Sequence, residues 1–149
     1  MPLAAPVDVP AHAAASRAES AIVRLLNNER ARYGLPGLRL SSALTRSAEQ
    51  HSWDCLRHDW ISHISSDGTA PGRRIARVTA ARASGETMAW SQRGAGSGAR
   101  SIVRMWMGSA AHRSIVLSPK FRRVGVGRIR GKLGASAGVM VTADFASAR

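Results

Sequence analysis

Ionisable side chains interrupt three otherwise core-forming stretches that lie far apart in the chain. They are His63 in Ser62-His63-Ile64-Ser65, Glu86 in Gly85-Glu86-Thr87, and His112 in Trp106-Met107-Gly108-Ser109-Ala110-Ala111-His112-Arg113. A neutral imidazole offers one nitrogen lone pair to zinc or a similar ion, and a carboxylate neutralises part of the charge and orients a ring. Two histidines and one glutamate brought together would leave a coordination position open for water or a substrate oxygen. The same groups could instead hydrogen-bond one another and brace the fold, because ionisable clusters are also commonly structural. His51-x-x-x-Cys55-x-x-His58 is a rival constellation, with nitrogen, sulfur and nitrogen donors on one helical face. It has no fourth ligand nearby, and core packing accounts for the same residues, since a free cysteine behaves as a small hydrophobe.

Other chemistries find less support. Ser62, Ser65 and Ser109 neighbour the histidines in sequence, and a Ser109–His112–Glu86 grouping would suit a hydrolase. No Gly-x-Ser-x-Gly elbow is present, however, and no oxyanion hole is visible. A metal-dependent nuclease usually gathers several carboxylates around Mg²⁺, and one candidate acid is too few. Gly94-Ala95-Gly96-Ser97-Gly98-Ala99 matches a dinucleotide fingerprint loosely, but Ser118-Pro119-Lys120 stands where the supporting acid is required. That stretch reads as a mobile loop.

The elements that must position these residues follow from periodicity. Ser16-Arg17-Ala18-Glu19 is a capping box, and Ile22, Leu25, Leu26 and Tyr33 keep helical spacing as far as Gly34. Leu38 and Leu40 are expected to pack the following connection down. A second helix is predicted from Ser42 to about Trp60, with two apolar stripes that call for cover on more than one side. A loop over 61–72 precedes a short basic helical segment at 73–78, and 84–91 suits a strand. Ala99, Ile102, Val103, Trp106 and Met107 follow the helical interval, and Pro119 ends a segment around 112–117. Two antiparallel strands, about 121–130 and 138–145, close the chain, the last with Val139, Val141, Ala143 and Phe145 on one face and Thr142 and Asp144 on the other. This mixture suits an α-β-α sandwich.

Length allows one domain with a real core: 149 residues, with a loose Pro/Ala-rich arm at 1–15 and the domain over 16–149. The single cysteine, Cys55, excludes an internal disulfide. The charge is +13, from 22 basic and nine acidic residues, which favours anionic partners. Only Lys120 and Lys132 are lysines and the bases are scattered, so a compositional bias toward arginine is the simpler reading. Arg73, Arg74 and Arg77 accordingly read as solvated surface, as do Arg122, Arg123, Arg128 and Arg130. Aromatic residues are few and sit on apolar stripes, so specific nucleic-acid recognition is not expected. No stretch is long and apolar enough for a membrane span, and residues 1–10 lack the charged and apolar regions of a signal peptide.

Taken in order, the three segments, together with Asn27-Asn28-Glu29-Arg30, Tyr33-Gly34-Leu35-Pro36-Gly37-Leu38 and Val124-Gly125-Val126-Gly127, resemble the CAP superfamily. That superfamily comprises cysteine-rich secretory proteins, venom allergens (antigen 5), pathogenesis-related proteins and their bacterial relatives with SCP-like domains. The resemblance covers roughly residues 20–145 and is to the bacterial branch. It implies an α+β fold, a three-layer α-β-α sandwich with a central, mostly antiparallel sheet, and a cleft into which His63, Glu86 and His112 converge. The Gly94–Ala99 loop would form the rim of that cleft. Ser109 stands where other members often carry a second glutamate, and Thr87 where they carry asparagine. The implied protein is secreted or associated with the cell envelope, monomeric, and a binding module rather than an efficient enzyme. Zinc or another divalent cation is its expected cofactor, held by His63 and His112 with Glu86. Its expected partners are a small ligand, a lipid or an extracellular polyanion. The alternatives are a metal-dependent or serine-type hydrolase, protease or nuclease, and a polyanion- or lipid-binding module.

Overall fold

Ser16 opens the first helix as a capping box requires. Its hydroxyl accepts the Glu19 N–H at 3.2 Å, and Glu19 Oε2 accepts the Ser16 N–H at 3.0 Å. This helix, α1 (Arg17–Arg32), begins a computed structural model that describes residues 16–96 and 98–149. The arm expected over residues 1–15 lies outside the described residues. The order then runs β1 (Arg39–Leu40), α2 (Ser42–Arg57), α3 (Pro71–Ala76), β2 (Ser84–Gln92), α4 (Ala99–Met107), α5 (Ala110–Val116), β3 (Arg123–Leu133) and β4 (Ser136–Ala146).

The four strands form one sheet in the order β1-β3-β4-β2, antiparallel except for the β1–β3 pair. Alternation along β4 sends Val139, Val141, Ala143 and Phe145 into a core shared with Ile22 and Leu26 of α1, Ile102 and Trp106 of α4, and Val116 of α5. The opposite face carries Met140 and Ala146 against α2 and α3, through Cys55, Leu44 and Ile75. Three layers result, and the α+β sandwich implied by the sequence is the fold.

Two glycines explain how α2 comes so close to the sheet. A Cβ at Gly125 would fall inside the Leu44–Thr45 backbone, and one at Gly127 inside the Ala48–Glu49 backbone. Helix and strand therefore meet main chain to main chain. On the other face, Arg30 is fully buried and donates to the carbonyls of Pro36, Val116, Ser118 and Phe121 at 2.9–3.0 Å. Asn27 exchanges two hydrogen bonds with the Leu38 backbone at 2.7 and 3.0 Å, fixing the path from α1 to β1.

Several boundaries move. α2 stops at Arg57 because Asp59 turns into a left-handed conformation (φ 58°), so Trp60 leaves the stripe and is 37% exposed. Tyr33 and Leu40 also point outward, whereas Leu38 packs inside. The closing hairpin is longer than its apolar alternation suggests: pairing continues to Leu133↔Ser136, with Gly134 (φ 60°) supplying the turn.

Candidate functional site

Glu86 lies near the start of β2, the edge strand, on the face turned toward α2 and α3. Its register partner on β4 is Asp144. Both carboxyls are buried, and Arg74 of α3 reaches them together: Nη1 donates to Glu86 Oε2 at 2.7 Å and to Asp144 Oδ2 at 3.1 Å. Ser47 Oγ of α2 donates to Asp144 Oδ2 at 2.9 Å. The Arg74 fork also donates to the His63 carbonyl and to Ser65 Oγ, tying the loop after α2 to this ionic layer. Burial alone would raise the Glu86 carboxyl. Hydrogen bonds from His63, Asp144 and Arg74 outweigh it and bring the group down to about 2. Asp144 moves the other way, pushed well above the carboxylate range by burial and by the proton it shares with Glu86.

His63 stands on this layer. Its Nδ1–H donates to Glu86 Oε1 at 2.8 Å, while the side chain is 50% exposed. An ionised carboxylate can only accept, so Nδ1 carries the proton and Nε2 is left open. The bond to Glu86 raises the His63 pKa against the opposing effect of burial. His112 comes from α5, in the opposite helical layer, close enough to His63 for the two charges to interact. Burial lowers the His112 pKa, and the charge on nearby His63 lowers it further. Its Nδ1 is buried with no hydrogen-bond partner among the described residues. Thr87, where the resemblance expects asparagine, is buried with its hydroxyl unpartnered.

This geometry bears on the metal-ligand set expected from sequence. Both Glu86 oxygens are engaged, one by His63 and the other by Arg74, so Glu86 orients a histidine. Among the described residues, no group of three or more histidine, cysteine, aspartate or glutamate side chains is arranged to hold a metal. A carboxylate behind one ring nitrogen, as at His63, leaves the other ring nitrogen available as a donor.

Ser109 caps α5, accepting the His112 N–H at 3.5 Å, and makes no hydrogen bond to that ring. The rival helical set separates. His51 Nε2–H donates to the Ser62 carbonyl at 2.7 Å, and Cys55 Sγ lies 3.6 Å from the same oxygen. His58 turns outward and bonds the Asp54 carbonyl. Burial holds the His51 pKa below its usual value, so His51 is a neutral strut under the His63 loop.

Two corrections follow from the layer. Arg74, read in the sequence as solvated surface, is one of its central charges, with a side chain only 11% exposed. The Gly94–Ala99 stretch, expected on the rim of the cleft, follows the far end of β2, about 20 Å along the strand from Glu86. Asp144 and Ser47 were also absent from the sequence candidates. The signal available was an acid in the apolar run Val141-Thr142-Ala143-Asp144-Phe145, which a buried strand tolerates only when it is paired, or protonated and hydrogen-bonded.

The chain is a three-layer sandwich with a histidine–carboxylate pair at an open sheet edge. The sequence model described as "CAP: Cysteine-rich secretory protein family" matches residues 23–145, and the chain belongs to that family. It is 30% identical over 112 residues to the uncharacterized Bacillus subtilis protein YkwD, covering 74% of this chain and 42% of that protein. The structure is similar to an extracellular SCP-domain protein of Bacillus anthracis, with TM-score 0.75, 26% identity, and coverage of 87% of this chain and 40% of the other. A Staphylococcus aureus cysteine-rich secretory protein shares the fold, with TM-score 0.67, 16% identity, and coverage of 92% of this chain and 42% of that one. The chain thus spans about two fifths of the length of these relatives. No described helix is long and apolar enough to cross a membrane.

Proposed function

We propose that this CAP domain is a ligand-receiving module of a secreted or envelope-associated protein, and that His63 and His112 grip a divalent cation such as zinc through their Nε2 atoms. Support for secretion comes from relatives described as extracellular or secretory. The observation carrying the reading is the 2.8 Å bond from His63 Nδ1 to Glu86, which leaves the other ring nitrogen of this half-exposed side chain open. A bound ion would supply a positive centre for an oxygen ligand. His63 and His112 would hold it, Glu86 and Arg74 would keep His63 in its tautomer, and the half-exposed setting leaves room for that ligand. Turnover is not favoured, because Ser109 is committed to capping and Glu86 to Arg74 and His63, leaving neither as nucleophile or free base.

Zinc must displace a proton from His63, whose pKa is raised. Affinity should therefore begin to fall as pH drops through a value above the ordinary 6.5, with His112 staying neutral to lower pH. Calorimetry with zinc is expected to show binding by the wild type and loss of at least about tenfold in His63→Ala and in His112→Ala. Circular dichroism would verify that both variants fold. Equal heats in wild type and His63→Ala, or none in the wild type, would reject the cation site.

A further inference from the structure

The far end of the sheet carries a second feature, unconnected with the histidines. Three adjacent strands there form a trough of about 630 Å³. Arg130 and Lys132 of β3 stand on one bank, and Ser91 and Arg93, at the end of β2, stand on the other. Ala137 and Val139 of β4 make the floor between them. The register defines the layout: Arg130 pairs with Val139 and Val139 with Ser91, while Lys132 pairs with Ala137 and the Arg93 N–H donates to the Ala137 carbonyl at 2.8 Å. The cationic banks are thus two strand spacings apart, about 10 Å at the backbone.

Among the described residues, no aspartate or glutamate lines the trough. Arg93, Arg130 and Lys132 are exposed and have no carboxylate partner among the described residues. Asp59, at the hairpin tip, accepts the Gly134 N–H instead. The positive field is felt by its neighbours: after burial, Arg130 is the main influence lowering the Arg128 pKa. Ser91 Oγ donates to the Gly96 carbonyl at 2.6 Å and ties the glycine-containing turn to the Arg93 bank. Solvated arginines on a convex surface spread apart, but here a small-residue floor keeps three like charges around one concavity. The volume falls in the range of about 300–1,000 Å³ that holds whole small-molecule ligands, far more than one phosphate ion fills.

We infer that this trough binds a phosphorylated chain, a ligand presenting two or three linked phosphate groups to Arg93, Arg130 and Lys132. The site is separate from the histidine pair and independent of the reading proposed for it.

Inorganic tripolyphosphate is the probe, titrated calorimetrically at low and moderate salt against two triple variants that remove equal charge. Arg93→Gln/Arg130→Gln/Lys132→Gln empties the trough, whereas Arg17→Gln/Arg24→Gln/Arg39→Gln removes exposed arginines elsewhere. Affinity should fall at least about tenfold in the first and less than about threefold in the second, with a shallower salt dependence only in the first. His63→Ala should bind tripolyphosphate as the wild type does, and orthophosphate should compete poorly. Equal losses in both triple variants would reduce the effect to net charge. Equal competition by orthophosphate, dependence on His63, or no binding by the wild type would each overturn the assignment.

Discussion

Arg74 and Glu86 decide how the site behaves, and their burial makes that behaviour depend on acid. The Glu86 pKa is lowered to about 2 from an ordinary 4.5, so its contribution is fully present above pH 4.5 and is lost as pH falls toward 2. A shift of that size corresponds to on the order of 3 kcal/mol. Asp144 is raised, so its contribution runs in the opposite sense, present below its ordinary 3.8 and lost on the way up. Between pH 4.5 and 2 the wild type should lose stability in urea titrations, and Glu86→Gln, already destabilised at pH 7, should lose distinctly less. A variant as acid-sensitive as the wild type would place that sensitivity outside the layer. Sequence reading named His63, Glu86 and His112 through motif order, because each interrupts an apolar stretch, and a direct bond joins the first two. It missed Arg74, since an arginine in Arg73-Arg74-Ile75-Ala76-Arg77 looks like its solvated neighbours until the strand acids beneath it are seen.

At the level of elements, the glycines of β3 set the separation between α2 and the sheet, and so the height at which Ser47 and His51 meet the site. Gly127→Ala forces a methyl group into the Glu49 backbone, and the helix must lift. Destabilisation of about 3 kcal/mol or more is expected, read as a lowered thermal midpoint. Gly134→Ala, at a turn with nothing within 4 Å, should cost only the strain of a positive φ, about 1 kcal/mol. Comparable losses at both positions would show that close approach is not what Gly127 provides. The start of the first helix was legible because Ser16 and Glu19 leave a capping-box signature. Helix and strand ends were less so. Nothing local distinguishes Arg57 from Trp60 until Asp59 turns, and the hairpin runs past its apolar alternation because backbone pairing outlasts it.

For the molecule as a whole, stability must come from packing without covalent ties. Cys55 is fully buried, and burial raises its thiol pKa, so it is a poor thiolate as well as an inaccessible one. Reductant should leave the thermal midpoint unchanged within about 1 °C, since no disulfide exists to lose. A thiol reagent should react only as fast as the protein opens. Rapid labelling in native buffer, or a midpoint that falls with reductant, would contradict this. The Arg30 guanidinium has a different consequence, one of timing. It sits in the last turn of the first helix, yet three of its four carbonyl partners, those of Val116, Ser118 and Phe121, lie 86 to 91 residues downstream. A nascent chain that has not yet emerged past Phe121 leaves that cation without most of its acceptors. The beginning of the domain can therefore be sealed only when nearly all of it has been made.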